Sequence, residues 1–270
     1  MNEGEGMSTA CLNGLTATCR QQVVATNTVD FTKLQPQDVD RLIPANQLDI
    51  DWSAVIFIKN CRRRRAVADT IVWTEQGGFY RTRQSPRALI NQLVETSLVQ
   101  WLDMRVTVDY LQLSGPLPYV MGQVMLVSTE RPADGNQTSW VGCWSISHMN
   151  PTTRQHQVSL LLTNGMTMII RDTVPRLRKK IAEAHQILVF QQANQAYALH
   201  QYQPTSNVYR PFSQESLAFR HYRDWRLVGG VLRKAGYSLP DEVVKQLVAE
   251  IYRGDWHPRH LDDEWVSSQY

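Results

Sequence analysis

The stretch Val158-Ser-Leu-Leu-Leu-Thr-Asn164-Gly165-Met-Thr-Met-Ile-Ile170 decides the fold class. Two runs rich in β-branched and aliphatic residues flank the pair Asn164-Gly165. Asn-Gly tolerates the positive φ angles of a type I′ turn, so the pattern predicts a hairpin closed by a two-residue turn. A hairpin makes its strands antiparallel, which points to an antiparallel sheet as the core.

Working outward, further strands are expected at Ala54–Ile58, Thr70–Trp73, Arg105–Leu113, Tyr119–Ser128 and Trp140–His148. Gly77-Gly78 marks a turn. Helices punctuate these strands. Ser85 can cap a helix that opens on Pro86, and Leu89, Leu93, Val94, Leu98 and Trp101-Leu102 then recur on one face. Thr173 is the expected cap of a second helix, with a stripe of Val174, Leu177, Ile181, Ala184 and Leu188, that runs toward Gln203 and stops before Pro204. Two more helices are expected over 213–235 and 240–252, separated at Gly236 and restarted at Pro240. The expected class is α+β: a largely antiparallel β-sheet core with packed helices and a helical C-terminal region. Three divisions follow: a loose tail over 1–18, an α+β domain over 19–203 and a helical extension over 204–270.

The chain has 270 residues, of which 43% are hydrophobic and 20% charged. This is ordinary for a globular protein and excludes a wholly disordered chain. No run of apolar residues is long enough to span a bilayer. The start, Met1-Asn-Glu-Gly-Glu-Gly6, is acidic and lacks the pattern of a secretion signal, so a cytoplasmic protein is expected. Cys11, Cys19, Cys61 and Cys143 follow no metal-finger spacing and are read as free thiols.

The formal charge of +3 is unevenly spread. Residues 1–60 hold four basic and seven acidic groups, a net of −3; residues 61–180 hold 15 and 8, a net of +7; residues 181–270 hold 9 and 10, a net of −1. A basic middle suits an anionic partner such as nucleic acid. Its sharpest feature is the run Arg62, Arg63, Arg64 and Arg65, followed by Arg81, Arg83 and Arg87. Arginine contacts phosphate in bidentate fashion and enters narrow minor grooves. Arg176, Arg178, Lys179 and Lys180 form a second basic group, read either as phosphate contacts or as an exposed helix face.

Residues 226–252 have the outline of a helix-turn-helix. The would-be recognition helix, however, opens on Asp241-Glu242 and contains Glu250 against Lys245 alone, so its tip would repel phosphate. A role in packing is the expectation. Cys143 and His148 are the one thiol–imidazole combination nearby in sequence, but five residues apart on one strand they would face opposite sides. With no other catalytic constellation, the chain is expected not to be an enzyme, and no cofactor or metal is expected.

Three further pieces occur in order: Ser128-Thr129-Glu-Arg131-Pro132, then Cys143-Trp-Ser-Ile-Ser-His148, then Leu160-Leu-Leu-Thr-Asn164-Gly165-Met-Thr-Met168. Together they resemble the ComK family of competence transcription factors, most clearly over 120–170. Upstream, Cys61-Arg62 and the arginines of 79–87 look like that family's Cys-Arg-containing segment. The resemblance implies a DNA-binding activator of DNA-uptake genes. It also implies recognition of A·T-rich double-stranded boxes largely through the minor groove, a homo-oligomer, and a proteolytic adaptor as partner. Arg131 then joins the candidate DNA contacts. The alternative is a degenerate family member that regulates through protein partners without binding DNA.

Overall fold

A computed structural model describes residues 9–61, 70–129, 138–202 and 214–253, with backbone only for 9, 195–202 and 214–215. The chain divides into two compact units.

The first unit holds two sheets, and the expected α+β class with a mainly antiparallel core is what the chain forms. Its elements begin with α1 (Ala17–Thr26) and β1 (Thr28–Asp30). A meander follows: β2 (Val55–Asn60), β3 (Thr70–Thr74) and β4 (Gly78–Thr82). Next come α2 (Pro86–Thr96) and the start of α3 (Trp101–Tyr110). The strands β5 (Tyr119–Met121), β6 (Val124–Ser128), β7 (Trp140–Gly142), β8 (Ile146–Pro151), β9 (Gln157–Leu162) and β10 (Thr167–Arg171) lead into α4 (Val174–Tyr202). One sheet has the order β4-β3-β2-β7-β6-β5 and the other β1-β10-β9-β8. All pairings are antiparallel except β1 with β10.

All five residues of β3 are buried, as a central strand covered on both faces requires. Phe31, just past β1, supplies one cover: its ring centroid lies 4.3 Å from Phe57 and 5.8 Å from Trp73. Trp73 and Phe79 stack at 4.9 Å, and the Trp73 indole donates to the Cys11 carbonyl at 2.8 Å.

That last bond corrects the reading of 1–18 as a loose tail. Thr9–Leu12 form a 3-10 turn with Cys11, Leu12 and Leu15 buried, and Thr16 caps α1. Small, aperiodic residues reach the core here because Trp73 supplies a donor and a surface for them; residues 1–8 lie outside those described.

The hairpin of β9 and β10 exists, but its turn differs from the expectation. Gly165 N–H donates to the Leu162 carbonyl at 3.0 Å, and Leu162 N–H to Met166 at 2.8 Å. The loop is therefore three residues, Thr163 to Gly165. Gly165 alone carries the positive φ, at 80°. Asn164 contributes a side-chain acceptor to Met166 N–H at 3.1 Å in place of a left-handed backbone.

Three other expectations are corrected. The helix read as continuous from Ser85 to Leu102 breaks after α2, because Ser97 is extended and Asp103 accepts from Gln100 N–H at 3.0 Å, starting α3 afresh. Arg105–Leu113, read as a strand, is largely helix α3; its β-branched Val106, Thr107 and Val108 are all buried, and burial overrides their strand preference. Tyr119–Ser128 is two strands joined at Gly122, where φ is 56°.

The second unit comprises 105–113 and the chain from 191 onward. Within it α5 (Gln214–Lys234) and α6 (Asp241–Arg253) pack together, and Val244 and Val248 are buried. Tyr110 meets Phe219 edge-on at 5.0 Å. Gly236, at φ 94°, ends α5 with the Tyr237 N–H donating to Leu232, the cap expected there. The linker expected near 204 falls outside the described residues. Among the described residues no helix is long and apolar enough to cross a membrane.

Candidate nucleic-acid interface

Register gathers the ends of the arginine-bearing connections at one end of the six-stranded sheet. Asn60 is opposite Thr70, Thr70 opposite Thr82, and Trp140 opposite both Ile58 and Ser128. The exits of β2, β4 and β6 therefore lie at the same end. Hydrogen bonds tie these exits together: Asn60 N–H to Ser139 Oγ at 3.1 Å, Thr70 Oγ1 to the Gln84 carbonyl at 2.7 Å, and Thr129 N–H to the Ser139 carbonyl at 2.9 Å.

The β2–β3 connection contains Arg62, Arg63, Arg64 and Arg65, and the β6–β7 connection contains Arg131. These five lie outside the described residues, but both ends of each connection are placed. Arg83 leaves β4 exposed and Arg87 is exposed on the first turn of α2. Arg83 borders an open groove with Leu42, Ile43 and Pro44. Arg81 is half-buried and its backbone closes the sheet edge: its N–H donates to the Arg41 carbonyl at 2.9 Å and its carbonyl accepts from Ile43 at 3.0 Å. That bridge gives the edge strand a partner.

The second basic group splits. Arg178 and Lys179 are exposed on α4, with Lys179 Nζ 3.1 Å from Ser114 Oγ and 3.8 Å from Glu183. Lys180 is buried and Arg176 half-buried, so the group is not a wholly exposed helix face. Arg176 Nε lies 2.7 Å from Asp172 and Lys180 Nζ 3.3 Å from its other oxygen. Both cations also donate to backbone carbonyls at the exit of β6, Arg176 to Thr129 and Lys180 to Ser128. Burial lowers the Lys180 ammonium's pKa, and the neighbouring Asp172 carboxylate works against that shift. Lys180 is thereby enclosed at the sheet end, whereas Arg176 keeps 39% of its side chain exposed. Sequence reasoning missed Asp172, though its i,i+4 spacing to Arg176 was a usable signal.

The strand read over 140–148 is two strands in different sheets. Cys143-Trp144-Ser145 form a 3-10 turn that carries the chain from β7 to β8. Cys143 is buried, and burial pushes its thiol far up, whereas exposed His148 contacts Ser147 Oγ at 3.2 Å. On α6, Lys245 is engaged by Glu242 at 2.7 Å and lies 4.9 Å from the Trp225 ring. Among the described residues no group of His, Cys, Asp or Glu side chains is arranged to hold a metal.

Comparison of the chain with protein-family models, curated proteins and solved structures found no match.

Proposed function

We propose that this protein binds double-stranded DNA through the cationic end of its six-stranded sheet and regulates transcription. The observation that carries the reading is the register of the sheet, which brings the ends of both arginine-bearing connections to the end at which β4 runs out toward exposed Arg83. Charges on separate connections of one rigid sheet can follow a phosphate backbone, which fixes position, while arginine in a narrow A·T groove supplies preference. The resemblance to ComK extends the proposal to an oligomeric activator of competence genes acting at A·T-rich boxes, with Arg62–Arg65, Arg81, Arg83, Arg87, Arg131, Arg176, Arg178 and Lys179 as the contacts.

The test is a titration of the full chain on A·T-rich and G·C-rich duplexes across a salt series. Affinity should fall steeply and linearly on a logarithmic salt axis, because neutralised phosphates release counterions. The A·T-rich duplex should bind more tightly at every salt concentration. A flat salt dependence overturns DNA binding, and equal affinity for the two duplexes overturns the A·T-rich target.

A further inference from the structure

The opposite end of the same sheet has the opposite character. There β2 begins at Val55, β3 ends at Thr74, β6 begins at Val124 and β7 ends at Gly142. The six residues of β2 put this end about 17 Å from the arginine end, at roughly 3.3 Å per residue. It holds a cavity of about 70 Å³ lined by Trp52, Trp144, Glu75, Gln123, Ser145 and Thr163 among others. No cation lines it, and Glu75 is exposed and takes part in no salt bridge among the described residues. Trp144 is 49% exposed, an unusual position for an indole that has buried Cys143 beside it.

The walls are set by backbone. Thr163 N–H donates to the Ser145 carbonyl at 2.9 Å and Ser145 Oγ to the Gly142 carbonyl at 3.0 Å, which fixes the turn bearing Trp144 against the hairpin tip. Glu75 N–H donates to the Ala54 carbonyl at 2.9 Å, which fixes the carboxylate's stem beside the turn bearing Trp52. Gly142 comes so close to Val55 that a Cβ there would sit 1.9 Å from its carbonyl oxygen.

The geometry points to a binding site for a guanidinium head group. A planar cation is attracted to indole faces and loses less hydration than an ammonium. Glu75 supplies a bidentate acceptor, and the Gln123 amide and the hydroxyls of Ser145 and Thr163 supply further polar partners. The cavity is too small for a drug-sized molecule, whose sites run to several hundred Å³, and suits one side-chain head. The ligand is therefore an arginine side chain, borne by a polypeptide or free as the amino acid. This inference stands apart from the DNA reading, since the site lies at the far end of the sheet.

The experiment follows the eight indole N–H signals of the labelled full chain by NMR, with Trp52→Phe and Trp144→Phe assigning two of them. Capped arginine (Nα-acetyl-arginine amide) should move those two signals saturably and leave the other six in place. The uncharged isostere, capped citrulline, should not. Glu75→Gln should weaken the binding by about tenfold, the scale of removing one charge-assisted hydrogen bond, while its six other indole signals stay at their wild-type positions. Tighter binding of capped than of free arginine assigns a polypeptide source, and the reverse assigns the amino acid. If neither form moves the two signals, if citrulline moves them equally, or if Glu75→Gln binds as well as wild type, the site is refuted. DNA titrations of Glu75→Gln should match wild type, so the two proposals fail separately.

Discussion

Asp172 holds Lys180: the carboxylate, closed to solvent, lies 3.3 Å from an ammonium whose side chain is 6% exposed. The same carboxylate accepts from the Thr173 N–H at 2.7 Å. Removing one member of a buried pair leaves the other charge uncompensated, which costs more than the pair contributes. Asp172→Asn should destabilise the fold by about 3 kcal/mol. Lys180→Met, which keeps volume, should cost less, because the Asp172 carboxylate it leaves behind still has Arg176 at 2.7 Å and the Thr173 N–H. Urea unfolding of both variants checks the order; equal or reversed losses would show that Asp172 does not organise this centre.

The arginines after β4 and the cation of α6 should separate in their effects. Arg83→Ala with Arg87→Ala should weaken duplex binding and lower the salt slope by about 0.9 for each phosphate that is no longer neutralised. Thermal stability should hardly change, since both side chains are exposed. Lys245→Ala with Gln246→Ala should leave DNA affinity as it is, because Lys245 is already paired with Glu242. A variant pair behaving the other way round would move the interface to α6.

Two glycines should respond differently to a side chain. At Gly165, φ is 80° and nothing lies within 4 Å of an added Cβ. Gly165→Val therefore meets only backbone strain, about 1–2 kcal/mol. At Gly142 φ is ordinary but the added carbon would collide with a backbone oxygen of β2. Gly142→Ala should cost more than Gly165→Val, because a strand must move to admit it. Melting temperatures of the two variants decide the matter.

Asp30 should shape the acid limb of stability. Burial works to raise its carboxyl, but hydrogen bonds from Thr32 and Lys33 outweigh it and hold the pKa below the usual range. The sign is that of a depressed acid. The contribution is complete above the unfolded pKa of about 3.9 and is lost as pH falls through the lower folded value. The melting-temperature gap between wild type and Asp30→Asn should be widest near neutrality and close as the pH approaches about 2. A gap that stays constant would show that the carboxylate's charge is irrelevant.

Local chemistry was legible wherever it is self-contained. Ser85 caps α2 through its hydroxyl at 3.1 Å from the Ala88 N–H, and Gly236 ends α5, both as their residue types dictate. The hairpin at 157–171 was legible as well, though the choice between a two- and a three-residue loop turns on one φ angle. Burial was not legible. Val106 and Val108 read as a strand in isolation and become helix only through what surrounds them. At the candidate site the arginines could be found by composition. That Arg83 and the ends of the 62–65 and 131 connections share one end of a sheet depends on register between strands far apart in the chain, as in the bond from Asn60 to Ser139. No window of sequence contains that information.

The pairing of β1 with β10 has a consequence for synthesis. Thr28 is matched to Thr167, so the four-stranded sheet draws its first strand from near the start of the chain and its neighbour from residues 167–171. While the chain is being made, β1 leaves the ribosome long before its partner exists, whereas β2, β3 and β4 can zip together as they emerge. Phe31 can already pack on Phe57 and Trp73, but the backbone of Thr28–Asp30 must wait for its template. Ribosome-bound chains stopped before residue 167 should therefore offer this segment to chaperones and proteases, and chains released after residue 171 should withdraw it.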